Sequence, residues 1–166
     1  MPAHQNSNKH MDKSLVGPAL GKIPSGLYIA TSHIDGAAVG MLASFIEQAG
    51  FDPPTVTIAM QPGRMVHKAV EETRLIGINI LSEDNGELMK PFAQKSNPEP
   101  FADLSLLPNK YKLPQLTNAL AFLACKVTGK LPAGDHIVYT AEVLDGILQN
   151  ESASPMVRIR RDGFGY

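Results

Sequence analysis

Residues 25–45 read SGLYIATSHIDGAAVGMLASF, two apolar runs on either side of Asp35-Gly36. Pro24 and Gly26 bound the first run and Asp-Gly favours a tight reversal, so the stretch predicts a hairpin of two antiparallel strands. Next, Phe51-Asp52-Pro53-Pro54 interrupts the chain, because consecutive prolines remove two backbone donors and bias the residue before them away from helix. In TVTIAM, residues 55–60, Val56, Ile58 and Met60 share one face while Thr55, Thr57 and Ala59 share the other. That period of two predicts a half-buried strand.

Further along, Arg64–Arg74 places Met65, Val66, Ala69 and Val70 on one helical face after the Pro62-Gly63 break, which predicts a short amphipathic helix. LIGINIL, residues 75–81, is a compact β-rich run. In residues 84–95, Leu88, Met89 and Phe92 have helical spacing, with Pro91 expected to distort the helix. Residues 96–116 hold four prolines and read as one long loop. ALAFLACKVTG (119–129) and HIVYTAEVLDGIL (136–148) predict two long paired strands joined by GKLPAGD (129–135), and PMVRIRRDGFGY (155–166) predicts a closing strand. Six or more strands, few short helices and no βαβ alternation predict a mainly β fold, a closed antiparallel split barrel with short peripheral helices. Residues 1–18 are expected to be a flexible N-terminal arm, polar and without an apolar period to Val16, and residues 19–166 the folded domain.

Composition narrows the function. The chain has 166 residues, 43% apolar and 19% charged, which suits one globular domain. Fifteen basic against sixteen acidic residues give a net charge of −1, so no global basic field draws the chain to nucleic acid or to an anionic membrane. Cys125 is the single cysteine, which excludes an intramolecular disulfide and a cysteine-rich zinc site. It is expected to be an inert core thiol. No apolar run is long enough to span a bilayer, and the leading residues lack the apolar core of a signal peptide, so a cytoplasmic protein is expected.

Neither GxGxxG nor GxxxxGK[ST] occurs, and there is no GxSxG elbow or HExxH pair. His4 and His10 read as solvated tail residues rather than metal ligands. Three segments remain. Gly40–Pro54, GMLASFIEQAGFDPP, offers small residues at Ala43, Ser44, Ala49 and Gly50 that let a flat polar heterocycle approach the main chain; a strand corner packed with small residues is the plainer account. Gly134-Asp135-His136 is a turn leading into a strand, where the histidine is either a hydrogen-bonded strand-end residue or a functional one. Arg158, Arg160 and Arg161 before Tyr166 form either a solvated terminal strand or a phosphate cradle.

Taken in order, Gly21-Lys22-Ile23-Pro24-Ser25-Gly26-Leu27, the Gly40–Pro54 stretch, Gly134-Asp135-His136 and Arg160-Arg161-Asp162-Gly163-Phe164-Gly165-Tyr166 resemble the flavin reductase family of FMN-binding split barrels. The likeness is strongest to the reductase-like module of flavodiiron proteins and its free-standing relatives, which also carry Gln48-Ala49. At Gly50 the family usually shows Ser. The resemblance implies FMN lying against Met41, Leu42, Ala43, Ser44, Gln48, Ala49 and Gly50. Arg64 and Met65 at the start of the first predicted helix would sit near its phosphate or ribityl chain. His136 would touch nicotinamide or flavin on the open face, and Arg160 and Tyr166 would serve the partner nucleotide. It further implies NADH or NADPH as a transient donor, a homodimer, no metal, and free flavin or an acceptor protein as the electron sink. Two other classes stay open: a flavoredoxin-like electron carrier that holds FMN without direct nicotinamide oxidation, and a split-barrel binding protein without redox work.

Overall fold

The turn at Asp35-Gly36 forms in the computed structural model: β1 (Tyr28–Ile34) pairs antiparallel with β2 (Ala37–Ala43), from Tyr28↔Ala43 to Ile34↔Ala37. Asp35 and Gly36 both adopt positive φ, 50° and 80°, as a two-residue hairpin turn of matching twist requires. The structure describes residues 11–94 and 97–165. These fall into two units, Ser25–Val157 and a smaller one made of the chain up to Pro24 with the residues from Arg158 onward.

Five further strands of the larger unit join this hairpin: β3 (Ile46–Phe51), β4 (Pro54–Met60), β5 (Leu75–Ile80), β6 (Ala121–Ala133) and β7 (His136–Leu148). They form one seven-stranded sheet in the order β2-β1-β5-β6-β7-β4-β3, with every neighbouring pair antiparallel. Laid flat, seven strands would hold the outer pair roughly 29 Å apart. Yet those outer strands, β2 and β3, are consecutive in the chain and joined only by Ser44 and Phe45. Three Cα steps reach at most about 11 Å, so the sheet must roll until its edges nearly meet. The expected mainly β, antiparallel architecture is present, with β2 and β3 not hydrogen-bonded to each other, so the ladder itself does not close the sheet into a barrel.

Alternation explains the interior. Val56, Ile58 and Met60 are buried while Thr55, Thr57 and Ala59 are half-buried, as read from the sequence. Ile58, Met60, Ile76, Ile78 and Tyr139 form the centre of the core, and α2 (Met65–Thr73) buries Val66, Ala69 and Val70 in the same cluster. Met65 departs from its predicted face and is 55% exposed. It sits at the limit of the apolar arc, in the first position of the helix. A second cluster joins Ile29, Leu81 and Leu116 to Phe92 of α3 (Gly86–Ala93), a helix that holds Pro91 in its last turn. The long loop is pinned by Asn79, whose amide donates to the carbonyls of Ile29 and Pro114 at 3.1 and 3.2 Å and whose Oδ1 accepts from Leu116 N at 2.7 Å.

Two boundaries differ from the sequence reading. β6 runs on through Lys130, Leu131, Pro132 and Ala133, leaving Gly134-Asp135 as the connection to β7. At the C-terminal end only Val157–Arg158 is strand, and both Val157 and Ile159 are exposed, so the predicted alternation buries neither.

In the smaller unit, α1 covers Lys13–Gly21, where the sequence reading had extended the arm. Asp12 caps it by accepting from Ser14 N at 2.9 Å, and Gly163 N donates to Gly17 O at 2.8 Å, bringing the C-terminal tail onto the helix. A Cβ at Gly163 would lie 2.1 Å from Leu20 Cβ, so only glycine allows this approach. Among the described residues no helix is long and apolar enough to cross a membrane, and no group of His, Cys, Asp and Glu could hold a metal ion.

Candidate functional site

The segment singled out by its small residues supplies both edges of the sheet, β2 and β3. Its side chains divide by alternation. Met41 packs on the main core and Leu42 on the second cluster, each half-buried. Ala43 and Ser44 are buried at 7% and 5% exposure, whereas Gln48 and Ala49 are exposed.

On β3 the pairing with β4 steps from Gln48↔Val56 to Gly50↔Thr55, leaving Ala49 as the extra residue of a β-bulge. A bulge bends its strand and removes one residue from the ladder. That bend falls where the small residues Ala49 and Gly50 lie. Gln48 Nε2 donates to Gly50 O at 3.3 Å across this bend. Between the strands opens a cavity of about 350 Å³, lined among others by Tyr28, Ile46, Gln48, Val56, Ile80 and Leu123. Of the predicted contact residues among the described ones, only Gln48 lines it. Tyr28 donates to Ile46 O at 3.2 Å, and its phenol is pushed up in pKa by burial and then by the charge of Glu47.

The opposite end of β3 meets the other predicted segment. Phe45 O accepts from Ala59 N at 2.9 Å, and the Phe45 ring lies 5.8 Å from the His136 ring, tilted by 57°. His136 Nδ1 is 2.7 Å from Asp135 Oδ1, and Gln61 Nε2 donates to Asp135 Oδ2 at 3.3 Å. Both contacts hold the Asp135 carboxyl below its ordinary pKa, the histidine contact first. From His136 to Glu142, the partner of Thr55 near the bulge, is about 20 Å along β7. Within the larger unit the predicted residues thus lie on β2, β3, the link between them, the start of α2 and the start of β7, spread out rather than gathered round one point.

Arg64 follows Gln61 by three residues and is the N-cap residue of α2, without a side-chain cap bond and with no acidic residue in the first turn. The first N–H groups of a helix have no intrahelical partner, so cation and orphan donors stand together. Arg160 belongs to the smaller unit, where its guanidinium reaches Gly165 O at 3.4 Å. Tyr166 lies outside the described residues. Sequence reasoning passed over Phe45, Gln61 and Asp135 as site residues; the first and last stood inside quoted motifs, while nothing local distinguishes Gln61.

The family model described as "Flavin reductase like domain" matches residues 20–164. The chain belongs to this family. Flavin reductase-like relatives include diflavin flavoprotein A 1 of Synechocystis sp., 32% identical over 161 residues, which are 95% of this chain and 28% of that protein. The chain therefore spans little more than a quarter of the diflavin flavoproteins it matches. The reductase component of a 4-nitrophenol 4-monooxygenase/4-nitrocatechol 2-monooxygenase of Rhodococcus opacus is 32% identical over 144 residues, 87% of this chain and 77% of that one. Among solved structures, flavin reductase HpaC complexed with NADP+ superposes with a TM-score of 0.78 at 25% identity, covering 89% of this chain and 94% of that chain. The flavin reductase-like fold of these neighbours is mainly β, as here.

Proposed function

We propose that this protein is a NAD(P)H-dependent flavin reductase that holds FMN along Met41–Gly50 and passes electrons to free flavin or to a partner protein. The observation that carries this reading is the meeting of His136, Asp135, Gln61 and Phe45 at one end of β3, the strand that carries the bulge at Ala49. Two relatives support it: one is by name the reductase component of a monooxygenase, and a similar structure is complexed with NADP+. When bound, a flavin supplies the electron chemistry by taking up hydride from a nicotinamide.

The residues fit such a group. Ala43 and Ser44 present little bulk, and the bulge at Ala49 frees main-chain donors and acceptors from the β3–β4 ladder. Arg64 and the first N–H groups of α2, Met65 among them, suit a phosphate. His136 marks the open face where a nicotinamide ring would be oriented, and its side chain keeps 13% of its surface accessible. The enzyme's work is then to hold two rings in register. Arg160 and Tyr166 remain assigned to the partner nucleotide on likeness alone. A homodimer and a cytoplasmic setting belong to the same reading; Phe51, 90% exposed at the tip of the β3–β4 hairpin, is an apolar anchor of the kind a second subunit covers.

Anaerobic mixing of the purified protein with NADH or NADPH and FMN tests the proposal. Bleaching of the flavin absorbance is expected, and no oxidation of either nucleotide would reject the enzyme. The match to one part of larger diflavin flavoproteins favours a second reading, a flavoredoxin-like carrier. Flavin retained through gel filtration and reduced only by a protein donor would select it.

A further inference from the structure

We propose that Asp135 and Gln61 are positioning residues for His136, holding its ring with the proton on Nδ1 and at a fixed rotation against Phe45. The inference deepens the flavin reductase reading, but the tautomer is a property of the ligand-free chain and stands or falls apart from it.

The geometry carries the argument. Gly134 at φ 63° turns the chain so that Asp135 and His136, though adjacent in sequence, face one another at 2.7 Å. Gln61 is a neutral amide that can only donate through Nε2, and it donates to the second carboxylate oxygen. A carboxylate with a donor on one oxygen and an imidazole nitrogen on the other is the acceptor in both contacts when ionised. Its lowered pKa keeps it ionised through the neutral range. Nδ1 therefore carries the hydrogen, and in the neutral ring Nε2 is the acceptor nitrogen. Phe45 limits rotation from the side, with ring centroids 5.8 Å apart. Gln61 also couples this pair to the segment leading into α2, since Arg64 follows it by three residues. The ring that orients one ligand and the helix end suited to a phosphate are thereby tied through one carboxylate.

The test reads nitrogen shifts. Long-range ¹H–¹⁵N spectra of the flavin-free protein, recorded where the imidazoles are neutral and assigned by comparison with His136→Gln, should show His136 protonated on Nδ1. Asp135→Asn offers an amide N–H to Nδ1 and should move the proton to Nε2; Asp135→Leu should leave a mixture. A wild-type ring protonated on Nε2, or spectra unchanged in both variants, would overturn the inference. Because the carboxylate is exposed, Asp135→Asn should lower kcat by roughly two- to fivefold with flavin affinity held. Gln61→Leu should give a smaller loss in the same direction. A protein that shows the Nδ1 tautomer yet oxidises no nicotinamide refutes the enzyme reading and leaves the positioning pair intact; turnover with the opposite tautomer does the reverse.

Discussion

The Tyr28 hydroxyl donates to Ile46 O at 3.2 Å and so joins β1 to β3 across the open seam of the sheet. The backbone makes no ladder there, since β2 and β3 are the two edges. Tyr28→Phe should therefore keep the fold but cost about 1 kcal/mol, the usual net value of one such bond, seen as a lower midpoint in urea. The folded phenol ionises at higher pH than the unfolded one. Its contribution is thus complete below the ordinary value of 10.0 and is lost as pH rises through the raised one, so the gap between wild type and variant should narrow in alkali.

Cys125 is fully buried on β6, and burial pushes its thiol up to about 12. A group with a raised folded pKa stabilises fully below its unfolded value, ordinarily 9.0, and loses that contribution as pH climbs toward 12. Near neutrality the thiolate is scarce and shielded. Labelling by an aromatic disulfide reagent should be slow in the native protein and complete in denaturant, and rapid labelling of the folded chain would place the thiol at the surface.

β4 is legible because its burial alternates with period two, and the hairpin of β1 and β2 because Asp35-Gly36 marks the turn between two apolar runs. β3 is not, since Glu47, Gln48 and Ala49 are all exposed and the bulge breaks the period. The sequence reading ends this strand at Gly129, whereas β6 runs to Ala133. β5 pairs with β6 only as far as Lys126, so beyond it β6 keeps β7 as a neighbour on one side and has a free edge on the other, a position that tolerates Pro132. α1 eluded the reading for a long-range reason: its glycines at 17 and 21 are matched to the C-terminal tail. Within the site, motif order located the two segments, whereas the contact of Gln61 with Asp135 depends on how β4 pairs with β7 and has no local signature.

Glu71 on α2 receives Lys130 Nζ on one oxygen and the Tyr139 hydroxyl on the other, each at 2.5 Å. Those bonds, the lysine's first, hold its carboxyl below the ordinary value of 4.5. A depressed folded pKa means stabilisation present above the unfolded value and lost as pH falls through the folded one. Glu71→Gln should lower Tm near neutrality, and the deficit should vanish in acid below the carboxylate range. A deficit independent of pH would show that packing, not charge, ties α2 to β6 and β7.

Gly50 is a better probe of the proposed flavin edge than Ser44. Ser44 is only 5% exposed, so a bulky replacement such as Ser44→Tyr would overpack the interior and confound binding with folding. At Gly50 an added Cβ would meet Thr55 Cβ at 3.4 Å and Pro53 O at 3.5 Å, ordinary contacts, and the backbone there is not in the left-handed region. Gly50→Ser should therefore fold normally and place at this position the hydroxyl that the family resemblance leads one to expect. If FMN lies along the bend at Ala49, one more hydrogen bond should tighten it roughly three- to tenfold, measured by fluorescence titration of the flavin. Unchanged affinity with unchanged Tm would move the ring away from this edge, toward the cavity that Gln48 and Tyr28 line.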